Sequence, residues 1–264
     1  MDRIRIALKL GALLLATAGS ALAAAAARAL CFGRVPAAPR WGSRFCLVWS
    51  RLACAILGVR RVVRGRPDGA PFVVAANHLT YLDIWVLGSL YPSIFVAKRE
   101  ISGWPIFGWV ARNSGTLFVD RETARDVVRT GKAMEEHLGG GISLTVFPEG
   151  GTSPGDAVRP FMSSILEPAA RLGAPCFAAS ITYETPGSPE PPTRTICWSG
   201  GKPPFFYHLL GVLRMRRIDA IVTFSSAAYR SADRKDLART LWEETSRTFV
   251  PVRHQPLPAA ECAP

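Results

Sequence analysis

The chain has 264 residues, 48% hydrophobic and 20% charged, with a formal net charge of +12 at pH 7. This length suits one α/β domain with an appendage. The charge is concentrated at the front, where residues 1–66 hold twelve Lys or Arg side chains and a single acid, Asp2. These basic residues alternate with apolar runs, which favours lipid headgroups over nucleic acid as their partner.

The first predicted element is an apolar helix near the amino terminus. Residues 10–27 are eighteen consecutive uncharged residues between Lys9 and Arg28. The stretch reaches the lower length limit for a membrane-spanning helix, although Ala and Gly make it weakly hydrophobic. A cleaved secretory signal is an alternative interpretation, since the stretch ends in an Ala-rich region with small residues at Ala21 and Ala23.

A second helical pattern covers residues 41–57. Apolar side chains, among them Trp41 and Trp49, fall near one face, with Arg44 and Arg51 at intervening positions. Basic residues and interfacial Trp on an amphipathic helix are typical of a helix lying on an anionic membrane surface. We therefore expect residues 1–66 to form a two-helix anchor embedded from the cytoplasmic side of the cell membrane; one true span is the alternative.

Apolar runs and helical patterns alternate through the rest of the chain, which predicts a mostly parallel or mixed sheet of about seven strands covered by helices on both faces. We assign residues 67–254 to this α/β domain and residues 255–264, rich in Pro and Ala, to a disordered tail. The strands are expected at 71–76, 93–97, 116–119, 142–147, 175–182, 193–198 and 218–224, and helices at 81–90, 123–138, 160–172 and 233–249.

His78 and Asp83 are the most informative pair of residues. They are five positions apart, where the extended run 71–76 gives way to a helical pattern that begins near Tyr81. A His at a strand exit can fold back over the first helical turn, where the carboxylate reaches its ring and makes it a general base. In the alternative interpretation Thr80 and Asp83 form a variant capping box, and His78 is an ordinary turn residue.

Two further strand ends carry polar residues. The run 115–119 ends in Asp120-Arg121, and Arg is a natural clamp for phosphate. The run 142–147 ends in Pro148 and Glu149, followed by two adjacent glycines that permit close backbone approach to a ligand. The alternatives are a surface ion pair for the first segment and a glycine-rich turn with a solvated Glu149 for the second.

These three segments, in this order, resemble the phospholipid/glycerol acyltransferase family, specifically the bacterial lysophosphatidate acyltransferases. The likeness runs from Phe72 to Phe224 and includes Phe95-Val-Ala-Lys98 between the first two segments. Residues 149–151 read Glu-Gly-Gly, which departs from the Glu-Gly-Thr that is more common in the family. The segment around Trp198 also departs from the pattern of close relatives, which leaves the identity of the acceptor lipid open.

The resemblance implies a membrane-associated enzyme that moves a fatty acyl group from acyl-CoA or acyl carrier protein to the free hydroxyl of 1-acylglycerol 3-phosphate, giving phosphatidic acid. It implies no metal and no cofactor, because the acyl thioester is a co-substrate. Two alternatives are acylation of another lysolipid, such as a lyso-ornithine lipid, and a non-catalytic membrane-binding protein. No nucleic-acid partner is expected, and the sequence does not indicate an oligomeric state.

The resemblance also assigns roles to individual residues. His78 would be the general base on the acceptor hydroxyl, and Asp83 would orient it. Lys98, or backbone N–H groups nearby, would stabilise the oxyanion of the tetrahedral intermediate. The acceptor would be bound by Arg121 at its phosphate and by Glu149 and Gly150 at its glycerol portion, with Gly151 and Thr152 adjoining.

Overall fold

The structure is a computed structural model, which describes residues 2–30, 38–104, 106–120 and 122–252. The strands are β1 Val59–Arg64, β2 Val73–Ala76, β3 Ile94–Lys98, β4 Leu117–Val119, β5 Leu144–Val146, β6 Cys176–Glu184 and β7 Ile218–Phe224. The α-helices are α1 Asp2–Leu30, α2 Ala38–Leu57, α3 Leu82–Gly88, α4 Phe107–Asn113, α5 Ala124–Gly139, α6 Glu167–Leu172, α7 Pro192–Thr195, α8 Phe205–Arg214 and α9 Arg234–Thr248. Two 3₁₀ helices cover Arg99–Gly103 and Ser163–Leu166.

The described strands form one sheet in the order β1-β7-β6-β2-β5-β3-β4. Neighbouring strands are parallel except β6 and β7, which are antiparallel. The predicted mixed, mostly parallel sheet flanked by helices is therefore confirmed. The central strands β2, β5 and β6 are almost wholly buried, as expected for a sheet covered on both faces.

One predicted strand is wrong. Residues 193–198 form the short helix α7 and a loop, not a strand. Pro192 occupies the first position of the helix, where its fixed φ and missing N–H are tolerated. Ile196 and Cys197 are nevertheless buried. Their apolar character reflects packing into the core, and the sequence pattern alone does not separate that from a buried strand.

The sequence pattern also predicts no strand at β1, which pairs with β7 at the edge of the sheet. Four of its six residues are exposed, and three of those four are arginines, namely Arg60, Arg61 and Arg64. An edge strand of this composition has no apolar run to reveal it, and charged side chains protect its open edge from pairing with other chains. Part of the segment 1–66 therefore belongs to the sheet.

Helix α2 packs into the core of the α/β domain. Arg51, one of its two predicted lipid-facing arginines, donates a hydrogen bond from Nε to the carbonyl oxygen of Ser89 at 3.1 Å. Arg44 is exposed. The inward face of α2 is buried against the body of the protein through Cys46, Trp49, Ala53, Cys54 and Leu57.

Helix α1 lies against α2 and α8 and leaves one side open to solvent. Lys9 fastens it, because Nζ donates to the carbonyl oxygens of Leu57 at 2.6 Å and Met215 at 2.7 Å. Neither α1, α2 nor any other helix in the described ranges combines the length and the apolar character needed to cross a bilayer. Two helices are thus present where the sequence predicts them, and their role as an anchor remains a prediction.

A glycine in α2 tests how tightly this helix is seated. A Cβ atom on Gly42 would lie 2.9 Å from both the carbonyl carbon and the oxygen of Ser114. Gly42→Ala should therefore lower the free energy of unfolding by about 1–3 kcal/mol, measured by chemical denaturation in detergent micelles. Gly19→Ala in α1 is the matched control, because no atom lies within 4 Å of its Cβ position and stability should not fall. Equal stability of the two variants would contradict the close packing of α2.

Candidate active site

The site lies at the carboxyl ends of three adjacent strands. His78 follows β2, Glu149 follows β5, and Lys98 ends β3. Because these strands are parallel, their ends meet at one edge of the sheet. Asn77 extends the β2–β6 pairing past the last residue of β2: its Nδ2 donates to the carbonyl oxygen of Ile181 at 3.0 Å, and its Oδ1 accepts from the N–H of Ile181 at 2.7 Å.

His78 and Asp83 form the predicted pair. Nδ1 of His78 lies 2.7 Å from Oδ2 of Asp83, whose side chain is fully buried. The same oxygen accepts the backbone N–H groups of Leu79 at 2.7 Å and Thr80 at 3.0 Å. Asp83 thus reaches back to the N–H of Thr80 as one half of a capping box would, but the hydroxyl of Thr80 has no hydrogen-bond partner among the described residues, and Tyr81 directly precedes α3. The predicted capping box is therefore only half formed, and His78 is bonded to Asp83 and is not an ordinary turn residue.

Tyr183 supports the pair from the far side. It is fully buried on β6, and its hydroxyl donates to Oδ1 of Asp83 at 2.7 Å. Burial, reinforced by the negative charge of Asp83, raises the pKa of Tyr183 well above its ordinary value, so the phenol stays protonated and acts as a donor. No sequence signal identifies this residue, because it lies 100 positions from Asp83 and one residue beyond the predicted strand 175–182.

These contacts fix the imidazole of His78. A carboxylate can only accept hydrogen bonds, so the ring nitrogen that faces Asp83 must be the donor. In the neutral ring Nδ1 therefore carries the proton, and Nε2 is left with a free lone pair. The ring also stacks on Phe147, with centroids 4.0 Å apart and planes 14° apart. His78 lines the cavity described below, and Nε2 is the nitrogen that remains for a ligand there. This geometry is that of a general base.

Glu149 joins the two motif loops. Its Oε1 accepts the backbone N–H of His78 at 2.9 Å, while the N–H of Ser153 donates to the carbonyl oxygen of His78 at 2.7 Å. Glu149 is only 9% exposed, and its Oε2 has no hydrogen-bond partner among the described residues. Burial raises its pKa to about 7, against the favourable hydrogen bond from His78. One carboxylate oxygen thus positions the loop that carries His78.

The other predicted site residues fall around the same edge. Lys98 is exposed, and with Gly150, Gly151 and Thr152 it lines the cavity. Gly150 has φ of 79°, a left-handed conformation that favours glycine. The hydroxyl of Thr152 donates to the carbonyl oxygen of Trp198 at 2.5 Å, so it fastens the neighbouring loop. The predicted phosphate ligand Arg121 lies outside the described residues.

A largely apolar cavity of about 290 Å³ opens beside His78. Its walls come from α2, α3, β3, α4 and the loop that leads into α8, and aromatic rings pack edge-to-face along one side. In the described part of the chain, no three His, Cys, Asp or Glu side chains converge into a group that could hold a metal ion. The main apolar side chains at the cavity are Trp49, Ile84, Trp85, Phe107, Val110, Trp198 and Phe205.

Comparison with known proteins places this chain in a family. The model of the family described as Acyltransferase matches residues 60–182. The lyso-ornithine lipid O-acyltransferase of Rhizobium meliloti is 32% identical over 85% of this chain and 83% of its own length, and that of Rhodobacter capsulatus is 33% identical over 75% and 73%. The chain belongs to the acyltransferase family, which confirms the resemblance found in its sequence.

Two further relatives differ in how much they cover. The 1-acyl-sn-glycerol-3-phosphate acyltransferase of Neisseria gonorrhoeae is 38% identical over 127 residues. The match covers 48% of this chain and 49% of that relative, so this chain spans about half the relative's length. The crystal structure of the 1-acyl-sn-glycerophosphate acyltransferase PlsC from Thermotoga maritima matches with a TM-score of 0.67 over 94% of this chain and 95% of that chain, at 20% identity. This last likeness establishes the fold.

The raised pKa of Glu149 makes stability depend on pH. Between its ordinary value of 4.5 and about 7, the folded protein binds more protons at this group than the unfolded chain does. The stabilisation of the folded state by protonation of Glu149 is therefore complete below pH 4.5. It is lost as the pH rises through 7, and the free energy of unfolding falls by up to about 3 kcal/mol. Glu149→Gln should remove this loss of stability with pH. The check is the difference between the wild-type and variant free energies of unfolding, measured at pH 4.5 and at pH 7.5. A pH-independent difference would contradict the burial of the charge.

Proposed function

We propose that the protein is a lysolipid O-acyltransferase, which moves a fatty acyl group from the thioester of acyl-CoA or acyl carrier protein to a free hydroxyl of a lysolipid. The observation that carries this proposal is the imidazole of His78, held by the buried Asp83 at 2.7 Å and facing an apolar cavity. An alcohol needs a base to attack a thioester, and a carboxylate-held imidazole is such a base.

The proposed reaction has two steps. Nε2 of His78 removes the proton of the acceptor hydroxyl while its oxygen attacks the thioester carbonyl, and Asp83 stabilises the imidazolium that forms. The tetrahedral intermediate carries its negative charge beside Lys98, which lines the cavity and offers positive charge there. The intermediate then collapses with cleavage of the carbon–sulfur bond, and the imidazolium returns its proton to the departing thiolate. The products are the acylated lipid and a free thiol.

The cavity suits an acyl chain. Its lining is dominated by aliphatic and aromatic side chains, as expected for a pocket that takes hydrocarbon and directs its reactive end by a few polar groups. His78, Lys98 and the loop 150–152 are among the polar residues that line it. A chain lying in this cavity would bring its carbonyl carbon to the imidazole.

Two acceptors are candidates, and different observations favour them. 1-Acylglycerol 3-phosphate is favoured by the motif pattern of the sequence, including the proposed phosphate ligand Arg121, and by the 38% identity to the Neisseria relative over 127 residues. Lyso-ornithine lipid is favoured by coverage, because relatives with that name align over 72–85% of this chain at 32–33% identity. Both lipids present a free hydroxyl to the same base.

We also propose that α1 and α2 hold the enzyme on the cytoplasmic face of the cell membrane. The exposed leucines of α1, the basic character of the first 66 residues and the lipid nature of the acceptor support this location. No resident cofactor or metal enters the proposed reaction, since the acyl thioester is consumed as a co-substrate.

The direct test is an assay of the purified full chain with labelled acyl donor across a panel of lysolipids. We expect acylated product from 1-acylglycerol 3-phosphate or from lyso-ornithine lipid, and His78→Ala should lower kcat by at least about 10²- to 10⁴-fold. His137→Ala on α5 is the matched control and should turn over normally, because His137 does not line the cavity. Near-normal turnover by His78→Ala, or no product with any lysolipid, would contradict the proposal.

Tyr183→Phe tests the support behind the base. The variant removes the hydrogen bond to Oδ1 of a fully buried carboxylate, which should reduce kcat by about tenfold with little change in KM. With one donor fewer, the carboxylate of Asp83 should also stabilise the imidazolium more strongly, so the acid limb of the pH–rate profile should move to higher pH. The control is Tyr91→Phe, which removes a buried hydroxyl that bonds Thr145 at 3.3 Å. If both variants keep the wild-type pH profile, Tyr183 has a structural role only.

A further inference from the structure

Helix α8 presents an apolar face to solvent. Phe206 is 69% exposed and Tyr207 is 71% exposed, and Leu210 lies on the same side. The opposite side of the helix, including His208 and Leu209, is buried in the protein. Adjacent, strongly exposed aromatic side chains on a helix are unusual on the surface of a soluble protein. They mark a site of contact with a membrane or with another protein.

The exposed charge on the chain segments next to this face is mostly positive, although Arg217 pairs with Asp219 and Arg5 of α1 pairs with Asp2. Residues 202–217 contain four basic side chains and no Asp or Glu. Lys202 precedes the helix, and Arg214 and Arg216 lie at its end, all of them exposed. An amphipathic helix with aromatic residues on one face and cations at its borders is suited to the headgroup region of an anionic bilayer.

The face adjoins the helix already proposed to contact the membrane. Nη1 of Arg5 in α1 donates to the carbonyl oxygen of Arg214 at 2.6 Å, and Nζ of Lys9 donates to that of Met215 at 2.7 Å. Helix α1 itself leaves large apolar side chains in solvent, among them Leu8 and Leu15. The end of α8 is therefore tied directly to α1, and the two helices offer exposed apolar residues and cations in one neighbourhood.

The inner side of α8 belongs to the cavity wall. Phe205, at the first position of the helix, lines the cavity and contacts Trp198 and Tyr81 edge-to-face. Nδ1 of His208 lies 3.0 Å from the hydroxyl of Tyr81, which precedes α3 and also lines the cavity. One short helix thus separates the cavity beside His78 from the exposed face of Phe206 and Tyr207.

We propose that the face formed by Phe206, Tyr207 and Leu210 inserts into the headgroup region of an anionic membrane and holds the cavity mouth against the lipid that supplies the acceptor. The partner is a bilayer surface, because the face is aromatic and is bordered by the exposed cations of Lys202, Arg214 and Arg216. This inference rests on the proposed function in treating the acceptor as a membrane lipid, but vesicle binding tests it without any acyl transfer.

The test measures binding of the full chain to vesicles of phosphatidylcholine, with and without phosphatidylglycerol, by co-flotation. The double variant Phe206→Ser/Tyr207→Ser should bind vesicles that contain phosphatidylglycerol about tenfold more weakly than wild type, since two side chains lose their apolar contact. The matched control is Val128→Ser on α5, where a 60% exposed apolar side chain is removed elsewhere on the surface and binding should be unchanged. A loss in the double variant no larger than in this control would overturn the inference.

Two further measurements separate this inference from the proposed function. Lys202→Gln/Arg216→Gln should reduce the gain in binding that phosphatidylglycerol confers, by about fivefold for each charge removed, whereas an unchanged gain would overturn the role of the cations.

Turnover of a short-chain, water-soluble lysolipid by Phe206→Ser/Tyr207→Ser should match wild type. If that turnover is lost, these side chains serve the catalytic site and not the membrane; if wild type shows no turnover while vesicle binding still depends on this face, only the proposed function fails.

Discussion

The candidate site depends on one buried carboxylate. Asp83 has no exposed surface, and four donors converge on it: the ring of His78, the N–H groups of Leu79 and Thr80, and the hydroxyl of Tyr183. A buried charge is tolerated only when such partners are in place. Because they come from a loop after β2 and from β6, the pairing of these two parallel strands sets the geometry of the His78–Asp83 pair. Asn77, which bonds both backbone groups of Ile181, secures that pairing where the strand ends.

The same region links catalysis to the amino-terminal helices. The cavity beside His78 has Trp49 of α2 in one wall and Phe205 of α8 in another, and α1 is fastened to the ends of both helices through Lys9. The segment that carries most of the net positive charge is therefore continuous with the core that shapes the site. In this arrangement, a lipid surface that holds α1 and α8 would also fix the position of the cavity.

Much of the fold could be predicted because its signals are local. The strand before His78 and the first helical turn containing Asp83 lie within a dozen residues. The contact between His78 and Asp83 can therefore be predicted from the sequence. Tyr183 could not be found, since only the folded sheet brings β6 beside that turn. The contact of Glu149 with the backbone of His78 is equally non-local, and the sequence suggested a ligand-binding role only. The sequence does not predict the edge strand β1, because its arginines interrupt any apolar run. It predicts a strand at residues 193–198, because the apolar residues Ile196 and Cys197 pack into the core as those of a buried strand would.

The most direct test of this account is the protonation of the His78 ring itself. With ¹⁵N-labelled histidine, and with His78→Ala to assign the signal, NMR distinguishes which ring nitrogen carries the proton in the neutral imidazole. A proton on Nδ1, shared with Asp83, with Nε2 unprotonated, is the expected result and leaves the base ready to accept a proton from an alcohol. A proton on Nε2 would mean that the carboxylate does not hold the ring in the reactive form, and it would contradict the central claim.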